Sequence, residues 1–297
     1  MTECTFAMLA GPSDAAFMGS TLRHLLKMCS FGFREVIVIA DDLPKKGRSR
    51  DAVYRFHDIL GPLRNDGTVT KCVFLSAVDR DRGILSRKYF GSPRIPKARD
   101  HRGVPLFGWL AGLEEAPTDF VVHFDSDSLL HQDPSYSWID AAMRLMAQDS
   151  TVMFVSPLPG PPTSDGGLRG QSVDPIKDNL GNLRFKTFTS RRFLVSKQRF
   201  EKMLPTPVAY TSTKRRILMR LGFGNALSTW EDCVSRSLQE SEYYRVHLGC
   251  PKAWALHCPD HGPDWLEALP SVIRRVEEGQ YPAKQAGHFD LTLSAWC

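Results

Sequence analysis

The stretch "FVVHFDSDSLL", residues 120–130, drives an almost wholly apolar run into two aspartates, Asp125 and Asp127, set one residue apart. An apolar run without polar alternation is the signature of a strand buried on both faces, as in a parallel sheet covered by helices. Ligands of such sheets collect at the carboxyl ends of the strands. With the backbone extended, Asp125 and Asp127 lean the same way while Ser126 points elsewhere. Two carboxylates at one crevice repel unless a cation or a ligand hydroxyl lies between them. Hard oxygen donors of this kind suit Mg²⁺ or Mn²⁺, which bind substrate phosphates alongside one or two protein carboxylates. The competing use, capping or turn formation, is met nearby: Asp133 and Ser135 stand ahead of the helix-like "PSYSWIDAAMRLMAQ".

Outward from this stretch, strands alternate with helices. "CTFAMLA" reads as a strand, "SDAAFMGSTLRHLLKMCS" as a Ser-capped amphipathic helix and "REVIVIADD" as a second strand. "DAVYRFHDIL" reads as a helix, "VTKCVFLSAV" as a third strand and "VPLFGWLAGLEEA" as the helix before the opening stretch. The expected fold is therefore α/β, a mainly parallel sheet with helices on both faces. The second strand also ends in acids, so Asp41 and Asp42 reach the same sheet edge as Asp125 and Asp127.

Composition sets the bounds. The 297 residues suffice for one large α/β domain, and their apolar and charged fractions are those of a globular protein. No stretch is apolar for the roughly 20 residues of a membrane span, and the N-terminus lacks signal-peptide features, so a cytoplasmic protein is expected. Seven scattered cysteines without a C-x-x-C pair argue for reduced thiols in packing roles. The net charge of +5 is concentrated in "KKGRSR", "DRDRGILSRKYFGSPRIPKARDHR" and "TKRRILMR". Such clusters fit a phosphate-bearing partner or an anionic membrane, equally a solvated face. No aromatics interleave with them as nucleic-acid recognition requires, so no nucleic acid is expected.

The order of these features resembles the GT-A class of nucleotide-sugar glycosyltransferases. "LFGWLAGLEEAPTDFVVHFDSDSLL" is similar to that class's pattern of helix, turn and strand closing on Asp-x-Asp. The resemblance implies a divalent metal on Asp127 and Asp125, with Asp125 nearer the sugar nucleotide. "NALSTWEDCVSRSLQESEYYRVHL" resembles the stretch of family 2 glycosyltransferases in which an acidic pair opens a helix. It implies Asp232 as catalytic base, with Glu231 as neighbour and fallback. The competing reading is a Thr229 cap with two acids favouring the helix N-terminus. In "PKAWALHCPDHGPDW", His257 matches the late histidine that completes many such metal sites, and His261 is the alternative.

Taken together, the resemblance implies a GT-A domain over residues 1–262, with a nucleotide-binding half to about 130 and an acceptor half beyond. Residues 263–297 follow as a helical extension around "DWLEALPSVIRRVEEG". It further implies transfer, with inversion, from a nucleotide-diphosphate sugar, a UDP-sugar by preference, to a hydroxyl of a glycan, a lipid-linked or a small-molecule acceptor. Asp42 is the candidate for the base or ribose, and Arg99 and Arg102 for the diphosphate, by charge complementarity. Arg191 and Arg192 suit an anionic acceptor or a plain surface. The basic surface also admits contact with the inner face of a membrane. The Pro- and Gly-rich segment within "VMFVSPLPGPPTSDGGLRGQS" is long enough for a lid. "AGPSD" departs from the class's usual first turn, which leaves the uracil contacts open. Three rivals share parts of the pattern: a retaining family 8-like transferase, a haloacid dehalogenase-like phosphatase, and a non-catalytic sugar-nucleotide-binding domain. The phosphatase signature opens a first strand, whereas here Asp-x-Asp closes the fourth.

Overall fold

The computed structural model describes residues 2–45, 47, 49–93, 95, 97–169 and 175–296. Parts of the basic clusters (46, 48, 94 and 96) and residues 170–174 of the loop considered as a lid lie outside them.

The strands are β1 (Cys4–Ala10), β2 (Glu35–Ala40), β3 (Lys71–Phe74), β4 (Phe120–Asp125), β5 (Ser128–Gln132) and β6 (Val152–Ser156). There follow β7 (Leu158–Pro159), β8 (Ile176–Lys177), β9 (Leu183–Phe185), β10 (Arg192–Ser196), β11 (Tyr244–His247) and β12 (Ala253–His257). Nine form one sheet in the order β3-β2-β1-β4-β10-β6-β11-β9-β8, and β5-β12-β7 form a second. In the large sheet β10 and β9 run against their neighbours, while the other strands share one direction. This is the expected α/β domain: one large sheet with helices on both faces.

The continuous apolar runs have a simple cause. Ala7, Ile37 and Ile39 face one core with the helices Gly108–Glu115 and Trp230–Gln239. Phe6, Met8, Val38 and Ala40 face the other, with Met18–Cys29 and Trp138–Gln148. Neither face of these strands meets water, so neither is polar.

Some local expectations are corrected. The first helix begins only at Met18 and has no side-chain cap; a short 3-10 turn, Pro12–Asp14, precedes it, and Asp14 accepts the Gly11 amide at 2.8 Å. "VTKCVFLSAV" is a strand only to Phe74, then turns helical at Leu75–Arg80. The Asp42 carboxylate accepts the Ser76 amide at 2.7 Å and its hydroxyl, pulling the chain off the sheet edge. Neither Asp133 nor Ser135 caps the next helix; Ser137 does, accepting from the Asp140 amide.

The C-terminal segment packs on the domain as a helix, Pro263–Glu277, and then a strap. Glu277 bonds His24 Nδ1 at 3.0 Å, and His24 Nε2 accepts the Leu130 amide, tying the helix to Met18–Cys29 and β5. The strap turns on Gln285, which is wholly buried. Its amide donates to the carbonyls of His288 and Asp290, and its carbonyl accepts from the Thr292 amide and the Trp296 indole. Backbone bridges run from Arg169 to His288 and from His257 to Asp290. Gly160 lets the strap approach: its φ is +89° and an added Cβ would lie 2.3 Å from the His288 carbonyl oxygen. Gly160→Ala is therefore expected to destabilise by roughly 1–3 kcal/mol through strain and displacement of a backbone that has no room to yield. Equilibrium denaturation by urea measures this; an unchanged midpoint would show the strap to be loosely held.

Candidate active site

β4 ends at Asp125, and a two-residue turn, Ser126 and Asp127, carries the chain into β5 of the second sheet. The backbone of this turn is held at several points. The Asp125 amide donates to Arg191 O (2.8 Å), Ser126 N to Leu9 O (3.2 Å), and Cys258 N to Asp127 O (3.1 Å). The Ser126 hydroxyl donates to Asp14 and its carbonyl accepts from the Thr21 hydroxyl. Ser126 is thereby turned into the protein, and both carboxylates are left on the other side.

Asp127 Oδ2 lies 3.4 Å from His257 Nε2 and 3.2 Å from His261 Nε2. Burial works to raise the Asp127 pKa, but the two histidines outweigh it and draw it down to about 2. His261 is raised in turn, chiefly by its bond to Asp127. Burial first, then the charge of Asp127, push Asp125 well above the ordinary carboxylate range, and Glu231 adds to the push. Asp125 also takes a 3.2 Å contact from His123 Nε2, whose pKa burial lowers to about 3, so this is a neutral hydrogen bond rather than an ion pair.

Behind His257 stands Asp290, a residue for which the sequence gives no local signal. Its Oδ1 lies 2.8 Å from His257 Nδ1 and accepts from Arg191 at 3.0 Å. A carboxylate on Nδ1 fixes the imidazole tautomer and leaves the Nε2 lone pair facing Asp127, the arrangement that makes a histidine a good metal ligand.

Glu231 and Asp232, adjacent at the start of the Trp230–Gln239 helix, do different things. Asp232 closes a capping box: its carboxylate accepts the Thr229 amide at 3.2 Å while the Thr229 hydroxyl accepts the Asp232 amide. Glu231 Oε1 accepts from the Ser190 amide at 2.7 Å and faces the Asp125 side, as its effect on that carboxyl indicates.

Asp42, at the end of β2, borders a shallow cavity of about 480 Å³ together with Arg50 and the exposed ring of Tyr54. Arg99 grips Asp41 through two nitrogens (2.7 and 3.1 Å) and donates its remaining hydrogens to the carbonyls of Leu43, Pro44 and Gly103. As it stands, no N–H of Arg99 is left for a diphosphate. Arg102 is exposed. The structure thus gathers Asp125, Asp127, His257, His261 and Glu231, and leaves Asp232 and Arg99 in structural bonds.

Among the described residues no group of three His, Cys, Asp or Glu side chains stands arranged to hold a metal ion. The individual donors nonetheless fit one. Asp127 Oδ1 is buried without any hydrogen-bond partner, an expensive condition for a carboxylate oxygen. Asp125 is held close to a like charge, and His257 Nε2 points at Asp127 with its tautomer already fixed. Asp125, Asp127 and His257 are thus the donors that a divalent cation would engage, although they do not stand as a preformed ligand set.

No protein-family model and no curated protein matches the chain. Among solved structures it is similar to GalNAc-T7 with UDP, GalNAc and Mn²⁺, at 12% identity and TM-score 0.49, over 86% of this chain and 43% of that one. It is similar to an active-site mutant of LgtC at 11% and 0.38, over 79% and 69%, and to S. aureus TarS at 12% and 0.40, over 82% and 36%. The chain spans less than half the length of the first and third. All three scores lie below 0.5, so the chemistry of the site has to be read from its own residues.

Mn²⁺ alone is expected to raise the unfolding temperature, with an apparent gain of about 2.7 kcal/mol at a hundredfold excess over Kd. Asp127→Asn, which keeps the shape and removes the charge, is expected to abolish that gain. A thermal-shift titration of both proteins decides it; equal shifts would mean that Mn²⁺ binds elsewhere.

Proposed function

We propose that the chain is a glycosyltransferase that moves a sugar from a nucleotide-diphosphate sugar to an acceptor hydroxyl with inversion. The observation that carries this reading is the cluster of Asp125, Asp127 and His257, backed by Asp290, at the carboxyl edge of the sheet with Glu231 opposite. A phosphatase nucleophile needs a free carboxylate in line with a phosphate; Asp125, crowded by a like charge, suits cation binding better.

In this reading Glu231 is the base, reversing the order suggested by the sequence, because Asp232 is occupied as a cap. Glu231 takes the proton of the acceptor hydroxyl as that oxygen bonds the anomeric carbon from the face opposite the diphosphate. The carbon–oxygen bond to the diphosphate breaks, and the leaving group departs with the electron pair. A divalent cation on Asp125, Asp127 and His257 would supply charge neutralisation for that diphosphate. Ser190, donating to Glu231, holds the carboxylate in line with the acceptor. Asp42 and Tyr54 are our candidates for the base or ribose; a UDP-sugar remains the preferred donor, and Arg102 is a candidate for its phosphates.

Glu231→Gln is expected to lower kcat by about 10²–10⁴, the usual share of a general base, while donor affinity stays within a factor of two. Asp232→Asn is expected to cost about 1 kcal/mol of stability as a weakened cap and to keep its turnover. Steady-state kinetics and calorimetry on both variants test this; the reverse pattern would make Asp232 the base.

We further propose contact with an anionic membrane surface. Among the described residues no helix is long and apolar enough to cross a membrane. The helix Thr213–Arg220 carries Lys214, Arg215, Arg216 and Arg220 together with Ile217, which is 53% exposed, and just beyond it Leu221 and Phe223 are 66% and 67% exposed. Basic and apolar groups side by side suit the headgroup layer. Flotation with phosphatidylserine-containing vesicles is expected to carry the protein, and Leu221→Ser with Phe223→Ser to release it. Equal recovery with neutral vesicles, or with none, would refute the contact.

A further inference from the structure

Across the Arg191–Asp290 pair from the acidic cluster lies a cavity of about 350 Å³, walled in part by Arg191, Arg192, Arg245, Thr189, Phe289 and Asp290. Two of its cations are unusual in being buried. Arg192, the first residue of β10, is 1% exposed, and Arg245, on β11, is 5% exposed. Among the described residues neither has a carboxylate partner. Arg192 Nε makes no hydrogen bond, and its guanidinium carbon lies 3.9 Å from the centre of the Phe289 ring. Arg245 stacks on Phe185 at 4.4 Å and donates Nε–H to the Thr187 carbonyl. His247, whose Nδ1 faces the Pro157 carbonyl at 3.2 Å, offers its other nitrogen to Arg245 and brings no negative charge.

Burying a guanidinium without a counter-ion is costly, and two beside one cavity repel each other. Burial, and next the charge of Arg245, hold the Arg192 pKa below its ordinary range, the direction such crowding produces. The nearby acids are otherwise engaged: Asp290 with His257 and Arg191, Glu231 with Ser190. With their faces covered by aromatic rings, guanidinium groups keep their N–H edges for planar, multidentate acceptors. Asp290 stands in the wall but is bonded to His257 and Arg191, so what Arg192 and Arg245 lack is an anion of their own.

We propose that this cavity receives an anionic group, a phosphate ester or a carboxylate, belonging to the molecule that accepts the sugar. The assignment to an acceptor rests on the function proposed above. The geometry favours it because Ser190, which holds Glu231, lies between Thr189 and Arg191, both in the cavity wall. A molecule anchored by its anion on Arg192 and Arg245 presents a neighbouring hydroxyl to Glu231. The donor's diphosphate, by contrast, belongs on the far side of Asp290, with Asp125 and Asp127.

The test titrates inorganic phosphate, and in parallel acetate, into the full chain by calorimetry without metal. Saturable 1:1 binding of at least one anion is expected, and which one binds separates an ester-reading from a carboxylate-reading cavity. Arg245→Met is expected to weaken it by about tenfold or more, the loss of one charge-assisted hydrogen bond. Thr189→Glu sets a carboxylate against the same guanidinium groups without removing them; it is expected to abolish anion binding in a protein at least as stable as wild type, which covers the case in which Arg245→Met fails to fold. No saturable binding, or unchanged affinity in folded Thr189→Glu, would overturn the proposal. A second titration adds uridine diphosphate with Mg²⁺ to phosphate-saturated protein. Independent binding supports the acceptor assignment, and mutual exclusion overturns it by making the cavity the diphosphate clamp. Phosphate binding with no nucleotide binding at all would leave an anion site intact and bring down the glycosyltransferase reading instead.

Discussion

Ser126 is the residue on which the site depends. Because its hydroxyl and carbonyl are claimed by Asp14 and Thr21, the turn after β4 has one orientation, and the acids on either side must share a space. An extended backbone would have set both on one face by alternation; the chain instead achieves this in a turn, by anchoring the residue between them. The consequence is electrostatic. One carboxyl, Asp125, is driven up by burial and by its neighbour, while the other, Asp127, is held ionised by two histidines. The pair is therefore unequal before any ligand arrives, with Asp127 the committed anion and Asp125 the adaptable one.

A single reversed strand organises the charge around that pair. The parallel strands reach this edge with their carboxyl ends, but β10, antiparallel to both β4 and β6, reaches it with its first residue. Arg191 and Arg192 thus arrive beside Asp125, and the Asp125 amide bonds the Arg191 carbonyl directly. Acids collect on the β4 side and guanidinium groups on the β6 and β11 side. Asp290 is the seam, bonded to His257 on one hand and to Arg191 on the other. Two anionic groups can then be held close together without sharing the same cations.

Much of the fold's first half was legible in the sequence because its signals are local. Apolar runs such as "CTFAMLA" and "FVVHFD" fill strands covered on both faces, and the helices between them carry their own periodicity. Local rules failed where a tertiary bond intervened: "VTKCVFLSAV" continues the strand pattern past Phe74, but Asp42, over thirty residues earlier, bends it. The acidic pair and His257 could be singled out from their order along the chain. Asp290 could not, since its 33-residue separation from His257 is closed by a strap folded around Gln285. Arg245 and His247 did leave a trace: two polar residues at alternate positions of a short strand, sharing one face. That trace acquires meaning only when β11 is known to lie within the sheet, one strand removed from β10.

The division of labour between Glu231 and Asp232 follows from helix geometry. The third residue of a helix is the one whose side chain can reach back to the N-cap amide, and an acid there with Thr at the cap forms a reciprocal pair. Asp232 occupies that position and Thr229 is the cap, so its carboxylate is fixed beside the first turn. The preceding position has no such duty, because it lies about 100° around the helix axis and faces a different neighbour. Glu231 is also longer by one methylene, which lets it reach Ser190 on the segment leading into β10. The cap therefore acts at a distance: by fixing where the helix starts, Asp232 fixes where Glu231 points. Each acid gives one oxygen to a backbone amide, Glu231 to Ser190 and Asp232 to Thr229, so what separates them is direction: Asp232 is tied back to the start of its own helix, while Glu231 reaches across to the segment before β10.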